Sequence, residues 1–319
     1  MNLDSLLAGP IDGSRLAPAA RAALAAAPRD AMGHAVFRTM SGTDARLERF
    51  AWLGDGLAAA VWERHTDEQL TVYSEPGHHT LSCYLTGGYS VERNGAPGQF
   101  GAPHRLCSLP DWHESRWLVR DSLRLMHIYF MPDQLTRRAV LELDREPREL
   151  MLQDRTYFDN PALARLCTSL LDAPWLGSDG LLRANEITHE ALSQLLRDQA
   201  TLRPDLRLKG GLAPYLRRRL ADWIEAHLHE AITLGRLAEV ACLSEFHLAR
   251  MFRRSFGMPP SAWIAGRRID RAKMLLKRGA LPLQQVADAC GYADLSHFSH
   301  RFRAATGAPP GQWRSVVSS

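Results

Sequence analysis

LAEVACLSEFHLARMFRRSFGMPPSAWI (237–264) and VADACGYADLSHFSHRFRAATGAPPGQWR (286–314) are the stretches that decide how this chain folds. Phe252, Arg253, Gly257, Pro259, Pro260 and Trp263 return fifty positions later as Phe302, Arg303, Gly307, Pro309, Pro310 and Trp313. A repeat of that size points to one supersecondary unit used twice. Leu248, Phe252 and Phe256 fall on one face of a helix, as do Phe298 and Phe302 in the second copy. Phe246, Ala249, Arg250 and Arg253 fall on the opposite face, matched by Ser296, Ser299, His300 and Arg303, with His297 on the flank;. Ser244 and Asp294 stand where a side-chain oxygen can accept one of the free N–H groups that open a helix. Gly257 stops the first of these helices and Pro259–Pro260 start the next;. Short helix, turn, and capped second helix with a polar outer face predict two helix-turn-helix units, each with a second helix built to enter a major groove.

The segments around the repeat extend this reading. Leu216, Leu220, Trp223, Ile224 and Leu228 line one face of a preceding helix, with Arg217, Arg218 and Arg219 expected to decorate it. Residues 260–277 predict a helix roughly 27 Å long;. That length suits a spacer that sets two groove-reading helices about one duplex turn (~34 Å) apart. Its Arg267, Arg268, Arg271, Lys273, Lys277 and Arg278 are expected to track phosphates.

Charge divides along the same line. Residues 211–319 hold 16 Arg and Lys against 8 Asp and Glu, whereas 1–210 hold 23 against 27. The whole-chain net of +4 hides that division. A basic C-terminal third on an acidic body implies a polyanionic partner for that third: nucleic acid, or else an anionic membrane surface. Five scattered cysteines offer neither a zinc pair nor a disulfide framework;. No apolar run reaches the ~18 residues of a spanning helix, and the N-terminus lacks a signal-like core. The expectation is a cytoplasmic protein with reduced thiols and no membrane partner.

The N-terminal half reads differently. LTVYS (70–74), HTLSCYL (79–85), YSVERN (89–94), RLCSL (105–109), ESRWLV (114–119) and LRLMHIYFM (123–131) are strand-like. They are separated by Pro76–Gly77, Gly87–Gly88, Asn94–Gly95 and Arg120–Asp121, which read as turns; Asn-Gly is a hairpin signal;. A small antiparallel barrel or sandwich follows. After Pro161 the period becomes helical: Leu163, Leu166, Leu170 and Leu171, then Leu181, Ala184, Ile187, Ala191, Leu192 and Leu195;. Such stripes serve as intrachain core or as a dimer contact. Residues 16–27 predict a short packing helix, and 203–213 a linker;.

With these motifs in hand, 214–319 resembles the two-helix-turn-helix DNA-binding domain of the AraC/XylS family of bacterial transcription regulators. The G-Y turn and the aromatic–Ser–x–x–Phe–Arg run of the second copy carry the likeness most specifically. The resemblance implies base contacts by Phe246, Ala249 and Arg250 on the first helix and by Ser296, His297, Ser299 and His300 on the second. Arg253, Arg301 and Arg303 are expected on phosphates, which supply most of the electrostatic binding. Ala249 departs from the longer polar side chain of many relatives, so direct readout there is expected to be weak. Less specifically, 76–131 resembles the cupin-like effector domain found on many members. That likeness implies a small-molecule effector inside the barrel, and the family implies RNA polymerase as a partner. The expected architecture is α+β multidomain: an N-terminal arm (1–35), a cupin-like antiparallel β barrel (36–150), a helical dimerisation or connecting segment (151–202), a linker (203–213) and an all-α domain with two helix-turn-helix units joined by a long helix (214–319).

Chemistry beyond binding finds little support in the residues. Cupin enzymes gather converging histidines around a metal. Here His78 and His79 are adjacent and should point to opposite faces, leaving His113 and His127 as pocket lining or core;. No nucleophile triad, phosphate loop or dinucleotide glycine pattern occurs. Alternation along 123–131 places Leu125, His127 and Tyr129 on one face, so His127, Tyr129 and the neighbouring Trp117 are candidate effector contacts. The expectation is a ligand-responsive regulator, an activator acting as a homodimer on double-stranded DNA, with no catalytic residue, metal or cofactor. A cupin metalloenzyme fused to a DNA-binding module, or a regulator whose N-terminal domain binds a protein, is the alternative.

Overall fold

The computed structural model describes residues 13–26, 40, 43–202 and 210–317. Most of the expected linker, and the first residues of the expected arm, lie outside them. The chain divides into two compact units, 1–132 with 152–200, and 133–151 with 201–319.

The first unit is built on a seven-stranded antiparallel sheet. Its strands are β1 (Arg46–Gly54), β2 (Leu57–Ser74), β3 (His79–Gly87), β4 (Glu92–Arg93), β5 (Leu106–Leu109), β6 (Glu114–Phe130) and β7 (Arg155–Phe158). They run in the order β1-β2-β6-β3-β5-β7, with β4 also on β6. Two strands run longer than their sequence suggests. The opening of β2, through Ala58, Ala59 and Ala60, is buried on both faces, so no polar alternation marks it as strand;. β6 continues straight through Arg120–Asp121, which the sequence reads as a turn. Asp121 takes a positive φ of 61°, and the partner strand β2 absorbs the irregularity between Thr66 and Gln69;. Asn94–Gly95 does turn the chain, with Gly95 at φ 92°, but the strand before it pairs with β6 and not with the strand that follows.

Helix α1 (Pro18–Ala26) belongs to this unit; its Ala20, with Leu16 just before the helix, joins the core that holds Leu47 and Trp62. Helices α3 (Pro161–Asp172) and α4 (Gly177–Gln199) close it. Asn160 caps α3 by accepting from Leu163 N–H;. The stripe residues Leu163, Leu170, Ala184, Ala191, Leu192 and Leu195 are buried within the unit, so that surface serves intrachain packing.

The second unit contains α5 (Pro214–Ala226), α6 (Leu234–Ala241), α7 (Glu245–Phe256), α8 (Pro260–Arg278), α9 (Leu283–Ala289), α10 (Leu295–Thr306) and α11 (Pro310–Val317). It also includes α2 (Pro132–Leu141) and the short turn at Pro147–Glu149. Residues 133–151, expected at the end of the N-terminal domain, thus group with the C-terminal helices. The reason is packing and charge. Val140 joins the core of Leu216, Leu220, Leu248 and Phe252. The buried Arg217 guanidinium donates to the Asp144 backbone carbonyl at 3.1 Å and lies 3.9 Å from the Glu146 carboxylate. Arg217 therefore does not decorate the helix surface, as the sequence suggests.

Candidate nucleic-acid interface

The two copies of the repeat build their second helices in the same way. In α7, Leu248, Phe252 and Phe256 are fully buried, with the Phe252 and Phe256 rings stacked at 3.9 Å. Trp263, from the start of α8, meets Phe256 edge-on at 4.8 Å. In α10, Phe298 and Phe302 are fully buried and Trp313 meets Phe302 edge-on at 6.0 Å. The second copy has Thr306 where the first has Phe256. Its buried hydroxyl donates to the Phe302 carbonyl at 2.8 Å, so the polar substitution is satisfied;.

Caps fix where each helix starts. Ser244 Oγ accepts from His247 N–H at 3.3 Å, and Asp294 Oδ1 from His297 N–H at 2.6 Å. Gly257 and Gly307 end them in the left-handed region;. The preceding turns differ. Gly291 at φ 72° approaches the Leu228 carbonyl so closely that an added Cβ would lie 2.3 Å from it. Its counterpart in the first copy is Cys242, exposed and also left-handed at φ 54°.

Anchored from behind, each helix presents the residues singled out by sequence. Phe246, Arg250, Ser296, His297 and His300 are exposed, and Ala249 and Ser299 are half-buried at the edges of the same faces. Phe246 is 79% exposed, the most of any large apolar side chain among the described residues. It occupies the first turn of α7, the part of a recognition helix that meets base edges. His297 leans on the Tyr292 ring, edge to face at 5.6 Å. Arg250, Arg253, Arg301 and Arg303 are exposed, and none forms an ion pair among the described residues.

The arginines of the connecting helix α8 behave otherwise. Arg267 binds Glu225 and Asp270. Arg268 donates to the Leu228 and Glu230 carbonyls at 3.1 and 2.6 Å, and Arg271 to the Glu225 carbonyl at 3.4 Å. Arg271 thus meets one of the last carbonyls of α5, which have no helical partner, and Arg268 meets carbonyls in the turn after it;. The three arginines hold the fold and are not a free phosphate track, which corrects the sequence expectation for them.

The first unit encloses a cavity of about 40 Å³. Trp117 and His127 line it; Tyr129 does not. The Tyr129 phenol stands behind His127, 3.0 Å from its Nδ1, and accepts from Trp62 Nε1–H at 2.9 Å. Arg64, Thr71, Tyr73, Thr80, Ser82 and His113 are among the other polar residues of its wall. Sequence reasoning missed Arg64 because the strand that carries it was recognised only from residue 70; Tyr73, in the recognised part, was not singled out. His78 and His79 diverge, the first meeting Tyr129 at 5.4 Å and the second Phe130 at 5.0 Å. Burial pushes His78 and His79 down to about 4 and His127 to about 3, and lowers His113 as well;. Among the described residues, no three His, Cys, Asp or Glu side chains converge to hold a metal ion, and no helix is long and apolar enough to cross a membrane.

Comparison with known proteins places residues 237–315 in a helix-turn-helix domain family. The chain is 33% identical over 96 residues to a probable transcriptional regulator, LumQ, of Photobacterium leiognathi, covering 30% of this chain and 39% of that one. It is 31% identical over 130 residues to the arabinose operon regulatory protein of Salmonella typhimurium, covering 40% and 46%. The chain thus spans less than half the length of these relatives. Among solved structures, a probable AraC family transcriptional regulator from Rhodopseudomonas palustris matches at 28% identity, covering 33% of this chain and 99% of that one, with a TM-score of 0.30.

Proposed function

Residues 237–315 are a helix-turn-helix domain of the AraC type, and from that premise we propose that the protein is a sequence-specific transcriptional regulator that reads two adjacent major-groove segments. One observation carries the reading: both capped helices bury matching aromatic anchors and leave unpaired arginines and short polar side chains on the outer face.

Arg250 is the principal base reader, since its planar fork matches the O6 and N7 acceptors of guanine. Phe246 packs on a thymine methyl group. Ala249 adds only shape, and Ser296, His297, Ser299 and His300 read the second segment through shorter reach and DNA form. Arg253, Arg301 and Arg303 hold phosphates.

The N-terminal sheet is proposed as a cupin-like effector domain, with Trp117 and His127 at the effector and Tyr129 orienting His127. The regulator acts in the cytoplasm as a homodimer, an activator that engages RNA polymerase. Effector binding must favour one of two states for it to regulate. Selection of bound duplexes from a random pool tests the core of this reading. The expected outcome is a bipartite motif with two conserved blocks about one turn apart; recovery of unselected sequence contradicts it.

A further inference from the structure

The cavity in the N-terminal unit has a chemistry that narrows what it can hold. Among the described residues the one cationic wall residue, Arg64, is paired: Nε donates to Asp44 at 3.0 Å, Nη1 to the Thr71 hydroxyl at 2.9 Å and Nη2 to the Gln69 carbonyl oxygen at 2.6 Å. Among the described residues no carboxylate lines the wall. Neither an anion nor a cation would find an opposite charge free to receive it, and an unpaired buried charge is costly.

The Trp117 indole N–H already donates to Ser115 Oγ at 2.8 Å, and the Tyr73 hydroxyl to Met40 Sδ at 3.0 Å. His113 is fully buried and its Nδ1 lies 2.7 Å from the Pro110 carbonyl. A carbonyl only accepts, so Nδ1 carries the proton. Burial keeps the ring neutral, which leaves Nε2 as a bare acceptor with no partner among the described residues. Thr71, Thr80 and Ser82 hydroxyls line the same wall, so beside the His113 acceptor it presents groups that can donate, and it suits a ligand group that both donates and accepts. Around it stand Leu109, Trp117, Val119 and Leu125.

We propose, on the reading of this unit as an effector domain, that the cavity takes a small, neutral, mainly apolar molecule bearing a hydroxyl group, an alcohol or phenol whose O–H donates to His113 Nε2. The enclosed volume of about 40 Å³ is less than an aromatic ring fills, so a ring enters by displacing wall side chains;.

Three probes of similar shape separate the possibilities in the full-length protein: phenol, toluene and benzoate, each followed by thermal melting and titration calorimetry. Phenol is expected to raise the melting temperature and to bind roughly three- to tenfold more tightly than toluene, the worth of one net hydrogen bond. Benzoate is expected not to bind. His113→Phe should abolish the preference for phenol while keeping toluene binding; should that variant fail to fold, the wild-type series decides. Equal or tighter binding of toluene would overturn the proposal, because the acceptor would be idle. Tighter binding of benzoate would overturn it by releasing Arg64 from Asp44, and binding of none of the three would overturn it outright. Phenol binding that leaves DNA affinity unchanged would uphold the cavity chemistry and remove the effector role, while duplex selection tests DNA reading independently.

Discussion

At the scale of single residues, the account distinguishes side chains that read from side chains that hold. Arg250 is exposed and unpaired, on a helix whose far side is locked by Phe252 and Phe256. Arg250→Ala should relax preference at one or two base pairs, by about 1–3 kcal/mol each, in a selection or competition assay. An unchanged preference would contradict its role. Phe252→Ala, by contrast, should destabilise the C-terminal unit by about 3–5 kcal/mol in denaturant unfolding. The buried histidines give the N-terminal unit a pH signature. His78, lowered to about 4 in the folded state against an ordinary 6.5, is protonated first in the unfolded chain. Its stabilising effect is complete above pH 6.5 and is lost as pH falls toward 4; at pH 5 it has dropped by ~2 kcal/mol. His79 and His127 shift the same way, so melting of this unit should fall steeply between pH 7 and 5. A flat profile would contradict their burial as neutral rings.

At the scale of elements, the two turns make an internal comparison. Cys242 holds a left-handed conformation that costs a side-chain-bearing residue about 1 kcal/mol, and Gly291 holds the same one without that cost;. Cys242→Gly should therefore stabilise the C-terminal unit by about 1 kcal/mol. Gly291→Ala should destabilise it by more than that, since its Cβ would press on the Leu228 carbonyl;. Both are read by chemical denaturation. The recognition helices were legible in the sequence because everything that specifies them is local: a 3.6-residue apolar period, a cap, a glycine stop and a proline start. The strand ends were not. Ala58–Ala60 lies buried on both faces and shows no alternation, and Arg120–Asp121 resembles a turn until the 18-residue partner strand is seen carrying the ladder past it. The candidate cavity contacts were legible only where alternation was recognised, so Trp117 and His127 were found and Arg64 was not.

At the scale of the whole molecule, connectivity and packing disagree. The segment 133–151 leaves the N-terminal sheet by sequence and packs with the C-terminal helices. Nothing local announced this, because Arg217 finds Asp144 and Glu146 some seventy positions upstream. Glu146→Ala removes one of two carboxylates beside the buried Arg217 guanidinium, leaving that of Asp144 at 3.4 Å, and should lower the stability of the C-terminal unit by about 1–2 kcal/mol;. Unaltered unfolding of that unit would contradict the pairing. It also follows that a fragment beginning near residue 205 lacks Val140 and Glu146 and should melt below the full-length protein's C-terminal unit.

Base preference of two variants on one selected duplex decides whether this chain reads DNA with both helices. Arg250→Ala should relax preference at one or two base pairs in one block of the site and His300→Ala in the other, the two blocks lying about 10 base pairs apart. Loss at the same base pairs for both variants, or at none, would mean that α7 and α10 do not read neighbouring grooves.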